Sequence, residues 1–325
     1  MSKKTEVAVI GCGIIGMTTA LRLSEAGWSP IVISKDDYSS TTSAAAAAFW
    51  YPYHAEPAIK VSAWAEKSLA VYRIHNDDAA TGVRWTEFTE YFVPEASDPW
   101  WSNLVDNYRR LGLVELAAGS RSASSFAVPV IDTSVYLNYV HDLLRSRQVQ
   151  FVSSDLSSLE EALAWAPSIV NCSGVGAIQL AKDSDLHPAR GQIVRIKRRP
   201  DHAGFVDLTQ EPAIAHVTPR THDTVLGGTY EANVSTLAPD WDEAARTLER
   251  CQAICPALAS ISLEDVLGIS CGLRPVRSSV RVEAEHVNGH PIVHNYGHGG
   301  AGFTLAWGCA EEVCLLLDKA VQQSV

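Results

Sequence analysis

The chain has 325 residues, of which 46% are hydrophobic and 19% charged, enough apolar material for a large core that divides into two lobes. Its formal net charge is −11 and its pI about 5.4, and Lys197-Arg198-Arg199 is its longest basic run. That charge excludes the basic footprint of a nucleic-acid-binding protein and points to small-molecule partners.

The opening MSKKTEVAVIG shows neither a signal-peptide core nor a bilayer-length apolar span, so a cytoplasmic protein with no membrane segment is expected. Thr5 to Ile10 reads as a short buried strand, and Ile14 to Ala26 places apolar residues at helical spacing until Gly27 stops the helix. Pro30 to Ser34 reads as a second buried strand. Strand, glycine turn, helix and strand in this order make a βαβ unit with parallel strands.

After Asp37 a Ser/Thr run leads into five alanines, Ala44 to Ala48, and an aromatic cluster. So little side-chain bulk suits a segment lying close against a flat ligand, and it equally suits a helix start capped by Ser43. Residues 57 to 75 read as helix, Trp85 to Val93 as a strand with one wet face, and Tyr136 to Arg145 as an amphipathic helix. Ser168 to Cys172 reads as a buried strand ending at Ser173-Gly174. Strands dominate the middle, from Gly191 to Lys197 and from Ala213 to Tyr230. A final buried strand, Pro291 to Asn295, leads into the glycine-rich YGHGGAGFT and a helix whose apolar face carries Ala306, Ala310, Val313 and Leu317.

The first glycine run, Gly11-Cys12-Gly13-Ile14-Ile15-Gly16, matches G-x-G-x-x-G between a strand and a helix, where backbone amides can approach a pyrophosphate at a helix N-terminus. The second strand ends in Ser34-Lys35-Asp36, with the usual ribose-holding acid displaced, and Lys35 there is compatible with NADP. Gly297, Gly299, Gly300 and Gly302 open a second helix. Its amides and positive dipole end favour FAD, whose reduced ring carries negative charge.

His286, His290, His294 and His298 recur every four residues, but Gly289, Pro291 and Ile292-Val293 make the segment extended. The four imidazoles then diverge, so no metal site is expected. The seven cysteines include no Cys-x-x-Cys pair and read as buried free thiols, with neither a disulfide framework nor a zinc site. In GLRPVR, Arg274 and Arg277 flank a stiffening proline. An arginine fork is the natural partner of a substrate carboxylate, although either residue could equally be ion-paired within the protein.

Taken in order, GCGIIG, TTSAAAAAFWYPY, NCSG, ARGQI, LGGTY, GLRPVR and HNYGHGGAGFTLAWGCA resemble the D-amino acid oxidase and D-aspartate oxidase family from end to end. The resemblance implies an α/β fold in which a Rossmann-like FAD-binding domain carries a second, mainly antiparallel α+β substrate domain. It assigns 1–50, 132–195 and 268–325 to the first and 51–131 and 196–267 to the second. It also implies non-covalent FAD held at Gly11, Gly13, Ile14, Ile15 and Gly16, at Ser34 and Lys35, and at Thr41, Thr42 and Ser43. Further cofactor contacts fall on Ala47, Ala48 and Leu156, on Ser173 and Gly174, and on Arg190 and Gln192. The last set comprises Arg274 and the run Gly299, Gly300, Ala301, Gly302, Phe303 and Thr304.

For the substrate, the resemblance implies that Arg274 clamps the carboxylate, that the carbonyl of Gly300 takes the amine, and that Tyr51 and Tyr53 lie at or near the pocket. Where members carry a carboxylate-holding tyrosine shortly before Pro219, this chain has His216. Whether Tyr230, from GGTY, reaches the same pocket is left open. The activity implied is oxidative deamination of D-amino acids by hydride transfer, with oxygen as acceptor and a homodimer as a possible assembly. Neutral side chains are the expectation, although His54, His216 and Arg220 would suit a second carboxylate. The alternatives are a D-aspartate or D-glutamate oxidase, a glycine or secondary-amine oxidase, an NADP-dependent reductase, and a non-catalytic dinucleotide sensor.

Overall fold

The computed structural model describes residues 5–93, 96–116, 119–197, 203–209 and 214–323. Arg198 and Arg199 of the basic run, Ala213, and the termini 1–4 and 324–325 lie outside the described residues.

The expected βαβ unit is present as β1 (Glu6–Ile10), α1 (Ile14–Glu25) and β2 (Ser29–Ser34), with β1 and β2 parallel. Val7 to Ile10 are all buried, as a strand covered on both faces requires. Then follow α2 (Ala58–Asn76), β3 (Val83–Phe92), the hairpin of β4 (Asp106–Leu116) and β5 (Gly119–Ile131), and α3 (Thr133–Ser146). Next come β6 (Gln150–Ser153), β7 (Ile169–Asn171), the single-turn α4 (Ala177–Leu180) and β8 (His187–Lys197). The chain continues through β9 (Gly204–Asp207), β10 (Ala215–Pro219), β11 (Asp223–Gly227), β12 (Glu231–Ala232) and α5 (Trp241–Ile254). It ends with β13 (Val266–Val287), β14 (His290–His298) and α6 (Gly302–Gln323).

The strands form one continuous sheet in the order β4-β5-β3-β9-β10-β11-β8-β13-β14-β7-β1-β2-β6, with β12 on β8. From β14 through β7, β1 and β2 to β6 every pairing is parallel. Across the rest it is antiparallel except for β3 on β9. β13 joins the two characters, pairing with β8 along one half and β14 along the other, with a register shift between Val276 and Arg281. The mixed α/β fold expected from the sequence is therefore the observed one.

The main core packs α1, α2, α3 and α6 against the parallel strands, and a second, behind the antiparallel half, gathers Leu248, Cys251 and Ile254 of α5 with Val194, Val217 and Leu226. No helix among the described residues is long and apolar enough to cross a membrane. All seven cysteines are free, five of them buried. The β4–β5 hairpin, α5 and the 22-residue β13 were not anticipated. β13 carries two glycines, a proline and three arginines in its first sixteen positions, a composition that hides a strand.

Two helix crossings are set by glycine. At Gly16 a Cβ would overlap the Gly11 carbonyl, so α1 seats on its own turn only without a side chain. At Gly308 a Cβ would overlap the Trp64 backbone, which fixes how closely α6 crosses α2. Gly308→Ala is expected to lower stability by about 1–3 kcal/mol, the usual overpacking penalty, read as a drop in Tm with the far-ultraviolet dichroism unchanged.

Candidate active site

A cavity of about 740 Å³ runs from the end of β2, past the N-termini of α1 and α6, to the antiparallel strands β8, β9 and β10. Its first end is lined by Gly11, Gly13, Ile14 and Ile15 and by Ser34, Lys35 and Asp36. Ser43 Oγ accepts the Ile14 N–H at 2.9 Å and so caps α1, whose Gly13 N-cap has no side chain for the purpose. The Cys12 thiol donates to Ser34 Oγ at 3.2 Å and to the Asp36 carbonyl at 3.1 Å, tying the glycine loop to the end of β2. Leu156, Ser173 and Gly174 complete this end.

The alanine run settles its own ambiguity. Residues 42–45 form a turn rather than a helix, and Ala45 to Ala48 line the cavity. Thr42 Oγ1 accepts the Leu273 N–H at 3.3 Å and donates to the Leu273 carbonyl at 3.2 Å. Thr304 Oγ1 likewise accepts the Tyr51 N–H at 3.0 Å and donates to its carbonyl at 2.9 Å. The segment is thereby pinned to both β13 and α6.

The second glycine run brings Gly299, Gly300, Gly302, Phe303 and Thr304 to the wall. Neither α1 nor α6 has an acidic residue in its first turn, so both positive helix ends are left for an anionic or reducible ligand. Two buried wall atoms, Asn295 Oδ1 and His298 Nε2, have no hydrogen-bond partner among the described residues. Such groups call for a ligand partner because a bare buried polar atom is costly. A glycine cradle, two helix N-termini and two orphaned polar atoms along one elongated cavity fit a dinucleotide that carries a redox ring.

Beyond α6 the cavity meets Arg274. Its guanidinium lies flat over Gly191, where any Cβ would overlap it, and Nη1 donates to the Thr229 carbonyl at 2.8 Å and the Arg190 carbonyl at 3.4 Å. No carboxylate among the described residues pairs with it. Burial lowers its pKa, opposed by Tyr53 and Tyr230. Arg277, three residues on, is spent on Asp183 at 3.0 Å and Asp185 at 3.7 Å, so the two arginines of GLRPVR divide the roles left open by the sequence. A Cβ at Gly300 would lie 2.9 Å from the Tyr53 ring and 3.7 Å from Arg274 Cδ, which puts these three residues around one point.

His216 faces the same space, its ring so close over Gly227 that a Cβ there would overlap it. Burial, and then the charge of Arg274, push its pKa down to about 3, so it is a neutral hydrogen-bonding group. Burial does the same for His298, also to about 3.

Most of the sequence-predicted residues therefore meet in one cavity, and four of the expected cofactor contacts do not line it. Gly16 packs against Gly11 and Cys172, a helix-seating role rather than a phosphate contact. Arg190 and Gln192 alternate with Gly191 and Ile193 along β8, and only the latter pair faces the cavity. Behind the wall Arg190 bonds Glu231, Gln192 at 2.8 Å and the Ala238 carbonyl at 2.7 Å. Ala301 is fully buried, its N–H on the His298 carbonyl. Tyr230 and His54 are likewise off the wall, though Arg274 lies 5.8 Å from the Tyr230 ring centroid.

Arg220 is fully engaged by Asp223 at 2.7 and 2.8 Å. The four periodic histidines diverge: His286 meets the Ala320 carbonyl, His290 the Pro167 carbonyl, His294 Glu285, and His298 the cavity. Val206, Leu208 and Ile214 line the far end and went unrecognised. They sit on or beside strands of four and five residues, too short to show a period.

The fold and site define a dinucleotide-binding α/β oxidoreductase with a buried arginine in the wall of its cavity. Residues 6–316 match the family model described as FAD dependent oxidoreductase. A D-amino-acid oxidase of Rubrobacter xylanophilus is 42% identical over 316 residues, covering 96% of both chains. One of Dictyostelium discoideum is 34% identical over 98% of this chain and 93% of that one. The solved glycine oxidase of Geobacillus kaustophilus shares the fold, with a TM-score of 0.79 and 15% identity over 97% of this chain and 95% of that one. The chain belongs to the family of FAD-dependent oxidoreductases, and FAD is its cofactor.

His216 and His298 at about 3, and His75, which burial lowers to about 4, all stay neutral in the folded protein well below the ordinary 6.5. The unfolded chain therefore binds more protons between pH 6.5 and 3, and native stability falls as the pH drops through that window. His298→Gln is expected to flatten that fall, measured as urea unfolding free energy from pH 7 to pH 4.

Proposed function

We propose that this protein is an oxidase that removes hydride from the α-carbon of D-amino acids with neutral side chains, releasing 2-oxo acid, ammonia and hydrogen peroxide. The observation that carries the proposal is the buried Arg274 guanidinium, which has no acidic partner among the described residues and faces the Gly299–Thr304 helix start. The D configuration follows the oxidases of Rubrobacter and Dictyostelium to which the chain is similar.

FAD, held without a covalent bond along the α1 and α6 helix starts, would supply the two-electron acceptor chemistry with oxygen as the final acceptor. The protein's own part is positioning. Arg274 offers its planar fork to the substrate carboxylate. The Gly300 carbonyl accepts from the amine, and neutral His216 stands where it can donate to the same carboxylate. Tyr53, packed on Gly300, limits water at the reacting carbon. No acid or base is required on the protein, since hydride transfer asks chiefly for alignment.

A neutral side chain is favoured by what surrounds it. Phe49, Ile193, Val206, Leu208 and Ile214 are apolar wall residues, His216 is uncharged, and Arg220 is paired with Asp223. In the same proposal the FAD lobe comprises 1–50, 132–195 and 268–325, and the substrate lobe 51–131 and 196–267. The parallel pairings of β1, β2, β6, β7 and β14 support that division.

Under anaerobic conditions D-alanine is expected to bleach the flavin while L-alanine leaves it yellow; bleaching by neither, or by the L form alone, contradicts the proposal. Arg274→Ala is expected to lower kcat/KM for D-alanine by about three orders of magnitude, or about 4 kcal/mol, as for a desolvated charged pair. Turnover within a few-fold of the parent would remove Arg274 from its role.

A further inference from the structure

One wall of the cavity is a single row of side chains across the antiparallel sheet. Register partners on neighbouring strands point to the same face, and here Ile193 pairs with Gly227, Gly227 with His216, His216 with Val206, and Val206 with Glu90. Ile193, His216 and Val206 line the cavity, so Glu90, next in the row, projects from the same face. With strands about 4.8 Å apart, it stands about 10 Å beyond His216, on the side away from Arg274.

Glu90 is 9% exposed and is held by Tyr51, a cavity residue whose hydroxyl donates to Glu90 Oε1 at 2.5 Å. Tyr51 continues from Phe49, ring centroids 5.7 Å apart, and Phe49 from His216, also at 5.7 Å. From Arg274 the wall thus leads over neutral and apolar groups to Tyr51, whose hydroxyl is bound by Glu90 just behind the lining. Among the described residues no cation pairs with Glu90: Arg110, which follows Glu90 and Ser124 in the row, is spent on Asp98 at 2.7 Å. Arg121 pairs with Asp207, which alternates with Val206 and so points to the opposite face, and Arg220 is spent on Asp223. Burial raises the Glu90 pKa, with the Tyr51 bond opposing it and no neighbouring charge contributing.

We propose that Tyr51 and Glu90 close the far end of the substrate side-chain pocket and select long side chains ending in a hydrogen-bond donor over those ending in a carboxylate, an inference that rests on the amino-acid oxidase reading. The Tyr51 proton is directed to Glu90, so this end offers acceptor oxygens to the substrate. An amide, hydroxyl or ammonium group can satisfy them. A carboxylate would meet oxygen against oxygen in a desolvated pocket, with nothing to offset its burial. Glu90 acts here through Tyr51 and is a positioning residue.

The test compares D-glutamine with D-glutamate, which have the same shape and differ at the terminal group. The holoenzyme is expected to favour D-glutamine in kcat/KM by about a hundredfold, and Glu90→Gln to narrow that ratio by about tenfold through KM for D-glutamate, the scale of one desolvated hydrogen bond. Glu90→Leu, which removes the carboxyl and keeps an apolar fill, is expected to narrow it similarly, and Tyr51→Phe to erode the gain for D-glutamine. Flavin content confirms that each variant is folded. A ratio unchanged in the Glu90 variants, or a parent enzyme that prefers D-glutamate, overturns the inference. If the parent oxidises no D-amino acid at all, D-alanine included, it is the underlying reading that fails.

Discussion

A buried positive charge with no acid beside it among the described residues governs this molecule. Arg274 loses much of its hydration in the cavity wall and, beside the Tyr230 ring, its hydrogen bonds among the described residues are to the Thr229 and Arg190 carbonyls, a state that costs free energy until an anion arrives. The surroundings hold it there. Gly191 is bare beneath the guanidinium, and the β8–β13 pairing runs unbroken from Gly268 on Arg195 to Val276 on His187, fixing the backbone on both sides. Arg190 and Gln192, off the cavity wall, serve this end: bonded to Glu231, Ala238 and Asp240, they lock the outer face of the strand whose inner face is Gly191.

The rest of the site is arranged around that charge by two helix starts. α1 and α6 point their N-termini into one cavity, both free of acidic residues in the first turn. They are brought together because α6 packs on α1 and α2, a contact close enough to demand glycine at position 308. The residues along this axis, from the α1 glycine turn to the α6 start, would hold the cofactor that supplies the redox chemistry. In the proposed reading, substrate recognition falls to the row of side chains on the antiparallel strands, where apolar residues and a neutral imidazole lead from Arg274 towards Tyr51, with Glu90 behind it.

The parts readable in the sequence were those whose constraint is local. GCGIIG, GLRPVR and YGHGGAGFT each declare themselves because glycine or proline is required by the backbone at that position, and the structure places all three at the cavity. The alanine run could not be decided from propensity, since whether it turns or coils into a helix depends on Thr42 and Thr304 binding distant backbone.

Facing was the weak point. ARGQI points to the cavity through Gly191, not through the charged residue before it, and nothing in five letters reveals which parity of a strand faces inward. The same holds for Glu90. In a strand read as having one wet face, it shares the inner parity with Phe88, which is fully buried, and only the pairing with Val206 exposes its position. His298 was visible solely as one member of a periodic histidine series, whereas its orphaned Nε2 emerges only once the chain is folded.

The most direct test of the central claim is the binding of propionate, a carboxylate that has no amine and cannot be oxidised, to the flavin-loaded protein and to its Arg274→Met variant, followed by perturbation of the flavin spectrum. The account predicts saturable binding to the parent, and loss of that binding in a variant that remains folded and yellow. Equal propionate affinity in the two proteins would contradict it.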